Sequence, residues 1–164
     1  MKLYVMRHGS AEDQAESGAD GDRALTPSGR KRVWDVARAL VELGEDPMLL
    51  VTSPLVRAVQ TAEIVALGTK IGDRGGSVEV RRDMSPGAHA THLAHRLAAE
   101  GRKRVMVVGH EPDLSALVAA LVGGFDQPFD KAMVVGVHLT ADSPQGRLRF
   151  VLDPKSLKLL VDQR

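Results

Sequence analysis

Three short apolar runs punctuate this chain, Leu3 to Met6, Met48 to Thr52 and Val105 to Val108. Each gives way at once to charge, glycine or proline. A run of that length with no polar face reads as a strand buried on both sides, which is how strands of a parallel sheet look. Between and after the runs the apolar period lengthens to that of a helix. Thr26-Pro27 supplies a cap and a first-turn proline. The stripe Val33, Val36, Ala37, Leu40 and Val41 follows, and Gly44 is placed to stop it. Ser53-Pro54 repeats the cap-plus-proline start and predicts a helix to about Leu67, before Gly68. Ala90, Leu93, Ala94, Leu97 and Ala98 make a third stripe. Leu114, Leu117, Val118, Leu121 and Val122 make a fourth, halted by Gly123-Gly124.

Val78 and Val80 alternate with charges and predict a strand with one exposed face. Met133 to Thr140 and Arg147 to Leu152 predict two more strands joined by a turn, while the tail through Leu160 carries no site-like cluster. Strands alternating with helices imply an α/β fold: a single-domain, three-layer sandwich over residues 1–164, with a mostly parallel sheet flanked by helices.

The totals exclude several classes. Lys plus Arg number 22 against 21 Asp plus Glu, a net charge of +1, which argues against a general nucleic-acid or anionic-membrane partner. There is no cysteine, hence no disulfide, thiolate metal site or cysteine-based chemistry. No apolar leader precedes the first strand, and no run has transmembrane length, so a cytoplasmic protein is expected. His89, His92 and His95 invite a metal reading, but each three-residue step turns a side chain by about 60° around a helix axis, so they do not converge. The loop Ser10 to Arg23 reads as mobile and acidic, and its Asp20-Gly21-Asp22 as a solvated turn rather than a cation site.

Chemistry concentrates where strands end. Arg7 and His8 follow the first run, Arg57 lies in the first turn of the helix after the second, and His110 follows the third. Parallel strands joined by right-handed crossovers emerge at one sheet edge, where α/β sheets bind ligands. Arginine offers a planar fork to phosphate oxygens, and neutral histidine can act as a nucleophile. Two histidines and two arginines at matching exits therefore point to phosphoryl chemistry.

The segments Arg7-His8-Gly9, Ser53-Pro54-Leu55-Val56-Arg57-Ala58-Val59-Gln60-Thr61-Ala62 and Gly109-His110 resemble, in order, the motifs of the histidine phosphatase superfamily (branch 1). Arg23-Ala24-Leu25-Thr26 with Gly29, and Met84-Ser85-Pro86-Gly87, are similar to its small SixA-like phosphohistidine phosphatase branch. The likeness runs from Met1 to about Leu139. It implies a phosphoglycerate mutase-like fold, no cofactor or metal, and His8 as a nucleophile that carries the phosphoryl group. Arg7, Arg57 and His110, with Gly9 beside them, would hold the phosphate.

Many relatives that cleave phosphate esters carry a glutamate acid after the third strand. Here that segment reads Asp83-Met84-Ser85-Pro86-Gly87. Asp83, Glu12, Asp13 and Glu111 are the remaining candidate proton donors. Loss of the acid harms alkoxide departure more than departure of an imidazole. The expected substrate is thus phosphohistidine on a signalling or phosphorelay protein. A small phosphate ester, another phosphoprotein, or phosphate binding without turnover are the alternatives.

Overall fold

The computed structural model describes residues 1–164. Strand β1 (Lys2–Arg7) leads through α1 (Pro27–Glu42) to β2 (Leu49–Thr52), then through α2 (Val56–Gly68) to β3 (Ser77–Val80). Helix α3 (Ala90–Ala99) leads to β4 (Arg104–Gly109), and α4 (Asp113–Val122) to β5 (Val134–His138), β6 (Arg147–Leu152) and β7 (Leu159–Asp162). One seven-stranded sheet results, in the order β3-β2-β4-β1-β5-β6-β7.

Its first four strands are parallel, because a helix separates each from the next in the chain. β5 follows α4 yet runs antiparallel to β1, and with no helix after it β6 and β7 join antiparallel in turn, so the sheet is mixed. The tail that looked featureless is β7, an edge strand. Val78 and Val80 do form β3, but they are its exposed residues, at 38% and 55%. The reason is that β3 is the other edge of the sheet, where helical cover runs out.

The helices divide between the faces. Val33, Val36 and Leu40 of α1 and Ala58, Ala62 and Val65 of α2 pack on Tyr4, Met6, Leu50 and Met106. On the other face Leu93 and Leu97 of α3 and Leu114 and Leu121 of α4 pack on Leu3, Val5, Val51 and Val105. Both faces of the central strands are thus covered, which is why those runs lack polar residues. Trp34 stays 44% exposed on α1, its ring lying over Gly68.

Register aligns the strand exits. Arg7 pairs with Gly109, and Thr52 with Val108. Residues 8, 53 and 110 therefore leave the sheet side by side.

Candidate active site

His8 and His110 meet at that edge, their ring centroids 5.1 Å apart and both rings buried. The turn holding His8 depends on close packing. Gly9 lies against α1, where an added Cβ would stand 2.7 Å from Val33 Cγ2. Gly9 N–H donates to Thr61 Oγ1 (3.1 Å), and that hydroxyl donates to the Arg57 carbonyl (2.7 Å). The Gly9 carbonyl lies 2.7 Å from His8 Nδ1. A carbonyl only accepts, so Nδ1 carries the proton and Nε2 keeps its lone pair. Both peptide groups of Gly9 are thus engaged in holding His8.

Burial is the main cause that pushes His8 down to about 3, with the positive charges of Arg57 and Arg7 and the His110 ring acting in the same sense. The Gly9 carbonyl opposes them without prevailing. His110 is lowered to about 4, again chiefly by burial and next by Arg57. Both rings are neutral at pH 7. His110 Nε2 lies 2.7 Å from Ser53 Oγ, which also accepts from Leu55 N–H at 3.3 Å. The other ring nitrogen of His110, Nδ1, is buried without a partner. Ser53 therefore serves the histidine, and α2 starts two residues later than its sequence indicated, with Leu55 at the cap position and no side-chain cap.

Arg57 is buried in the first turn of α2. Its Nη1 donates to the Asp20 carbonyl (2.8 Å) and its Nη2 to Asp20 Oδ2 (3.1 Å). Most of the loop from Ser10 to Arg23 is exposed, Asp20 and Asp22 included, as a solvated turn implies, yet it is tied down at several points. An Ala11–Leu25 bridge joins its ends, and Arg23 ties it internally to the Glu12 carbonyl and to Asp20. The two arginines hold the Asp20 carboxyl below the usual carboxylate range, so it is ionised at neutral pH. Arg7 Nη1 donates to the Phe129 carbonyl (2.7 Å), while its Nε is buried without a partner.

The four strand-exit residues therefore converge. The candidate acids do not join them as a group. Asp83 pairs with Arg96 on the surface (2.9 Å). Glu111 accepts from Ser115 N and Ser115 Oγ at the start of α4 (3.0 and 2.6 Å). Glu12 and Asp13 are exposed. Two carboxylates bear on the site: Asp20, thirty-seven positions before Arg57, and Asp113 at the start of α4, whose charge acts on His110; no local period or spacing marks either. No group of three or more His, Cys, Asp or Glu side chains is placed to hold a metal ion, and no helix is long and apolar enough to cross a membrane.

Two arginines and two neutral imidazoles at one crevice are an arrangement chemically suited to an oxyanion. Residues 3–84 match the family model of the histidine phosphatase superfamily (branch 1), and the chain belongs to that superfamily. Among its relatives is a phosphohistidine phosphatase SixA homolog of Haemophilus influenzae. It is 30% identical over 131 residues, spanning 75% of this chain and 78% of that protein. An uncharacterized Picosynechococcus protein is 39% identical over 127 residues, 76% of this chain and 74% of its own. A solved structure of the protein histidine phosphatase SixA complexed with tungstate superposes with a TM-score of 0.85 at 28% identity, over 96% of this chain and 100% of that one.

Proposed function

We propose that this chain is a phosphatase that removes the phosphoryl group of phosphohistidine on a protein, through a covalent phospho-His8 intermediate. The observation that carries this reading is the state of His8: neutral, with Nδ1 tied to the Gly9 carbonyl and Nε2 free beside two arginines. Nε2 forms a bond to phosphorus as the substrate's N–P bond breaks. The departing imidazole keeps the electron pair and takes a proton from solvent. Water then attacks the phosphoryl group on His8, releasing phosphate and restoring the neutral ring. Arg7, Arg57 and His110 hold the oxygens on which charge builds. Arg7 Nε is a buried donor without a partner and His110 Nδ1 a buried nitrogen without one; phosphoryl oxygens would pair with the first, and with the second when it bears the proton.

Two further points favour phosphohistidine on a protein. Asp83 and Glu111 are committed to contacts elsewhere, and an imidazole leaves with less help from an acid than an alkoxide. Between β3 and β4 stand only a single 3-10 turn (Arg82–Met84) and the ten-residue α3, a short connection that favours a crevice open to a protein-borne side chain. The relative named a phosphohistidine phosphatase homolog and the tungstate complex agree with this reading.

The test is a quench within one turnover after mixing with a phosphohistidine protein. Acid-labile phosphate is expected on the wild type and none on His8→Ala. Unchanged turnover in His8→Ala would overturn the mechanism. Faster hydrolysis of p-nitrophenyl phosphate than of the phosphoprotein would overturn the substrate class.

A further inference from the structure

A second concavity of ≈ 410 Å³ adjoins Arg7. Four cations line it, Arg7, Arg32, Lys131 and Lys155, against a single carboxylate, Asp130. The walls come from separate parts of the chain: the end of β1, the first turns of α1, the segment before β5 and the segment after β6. Met6 pairs with Val134 and Val134 with Leu152, so these segments lie on the sheet edge that carries His8. Arg7 belongs to both places, since it lines this cavity and its charge bears on both imidazoles.

The positive charge here is held in position yet barely compensated. Arg7 Nη1 is fixed by the Phe129 carbonyl, and Arg32 Nη1 by the carbonyls of Pro154 and Lys155 (2.9 and 3.1 Å). Carbonyls orient a guanidinium without cancelling its charge. Asp130 stands 3.6 Å from Lys155, and Lys131 pairs with no carboxylate. In a chain whose net charge is only +1, the excess at this edge is local. Cations gathered in one concavity repel each other and focus an attractive field on an incoming anion.

The lining also says which anion. It contains no aliphatic or aromatic side chain beyond Pro154, so it offers little to the carbon skeleton of an organic metabolite. Arg7 and Arg32 present fixed planar forks that match a carboxylate, and the lysines on mobile stems donate to it in several geometries. We propose that this cavity is a docking subsite for the Asp or Glu side chains of the phosphorylated protein, engaged while its phosphoryl group lies at His8. The proposal rests on the protein-phosphatase reading above.

Two phosphohistidine peptides, identical except for Glu or Gln beside the modified residue, and their unphosphorylated counterparts, test it. The unphosphorylated Glu peptide is expected to shift the amide resonances of Ser28, Lys131 and Lys155, and the Gln peptide to leave them in place. In turnover, the phosphorylated Glu peptide should be preferred about tenfold in kcat/KM at low salt. That preference should vanish in Lys131→Glu/Lys155→Glu and shrink as salt is added. Equal kcat/KM for the two phosphopeptides with no Glu-dependent shift overturns the subsite and leaves the phosphatase reading standing. No turnover of either phosphopeptide, with the Glu-dependent shifts intact, overturns the phosphatase reading and leaves the subsite.

Discussion

At the scale of single residues, His8 is set by contacts that each act on one atom. Burial and neighbouring cations keep it neutral, while the Gly9 carbonyl selects which nitrogen bears the proton. Arg57 is in a different condition, because one donor on each terminal nitrogen already meets Asp20, Nη1 its carbonyl and Nη2 its carboxylate. An arriving phosphate oxygen finds other N–H donors on Arg57 but meets a guanidinium whose charge that carboxylate already partly neutralises. Asp20→Asn removes the neutralising charge, so it is expected to tighten inorganic phosphate severalfold and to lower KM without raising kcat. Calorimetric titration with phosphate and steady-state kinetics check this. Weaker phosphate binding in the variant would mean that Asp20 positions Arg57 rather than neutralising it.

At the scale of elements, the site depends on how closely α1 and α2 approach the end of β1. Gly29 in the first turn of α1 has no room for a side chain, since an added Cβ would run into the Ser10 carbonyl. Backbone, unlike the tip of a flexible side chain, cannot step aside. Gly29→Ala should therefore cost about 1–3 kcal/mol by overpacking. It should also lower kcat, because the shift falls on the turn that holds His8. Urea midpoints and turnover check both, and an unchanged kcat would show that the turn tolerates the displacement. Thr26, by contrast, behaves as its local sequence indicates: its Oγ1 accepts from Gly29 N–H (3.0 Å) and caps α1.

At the scale of the whole molecule, the end of the sheet opposite the site is closed by a buried ion pair. Arg149 Nη1 and Nη2 donate to Glu45 Oε2 and Oε1 (2.9 and 2.8 Å), with Tyr4 and Lys2 on the same carboxylate. Burial alone would push the Glu45 carboxyl up. The hydrogen bonds from Arg149 and Tyr4 and the charges of Arg149 and Lys2 outweigh it and hold it at about 2, against an ordinary 4.5. A folded value below the unfolded one means that the unfolded chain takes the proton first. The pair's contribution is full above pH 4.5 and is lost as pH falls through about 2. Glu45→Gln should cost about 3 kcal/mol at neutral pH and remove that part of the acid sensitivity, while turnover per folded molecule stays as in the wild type. Denaturant melts from pH 7 to 2 provide the check, and an identical pH slope in the variant would count against the pair.

How much was legible before folding follows from the range of each interaction. Apolar periods, caps and glycine stops act within one turn or strand, so the four helices, six of the seven strands and the fold class could be read directly from neighbouring residues. His8, Arg57 and His110 could be nominated because a parallel sheet brings successive strand ends to one edge. Whatever joins distant positions without a local period was decided only by tertiary packing. Asp20 reaches Arg57 across 37 positions, Glu45 reaches Arg149 across 104, and Ser53 turns from its expected cap to His110 across 57. The antiparallel β7 and the cationic cavity belong to the same class. A charge or hydroxyl looks alike in sequence whether it faces water or a partner, and only the folded chain supplies the partner.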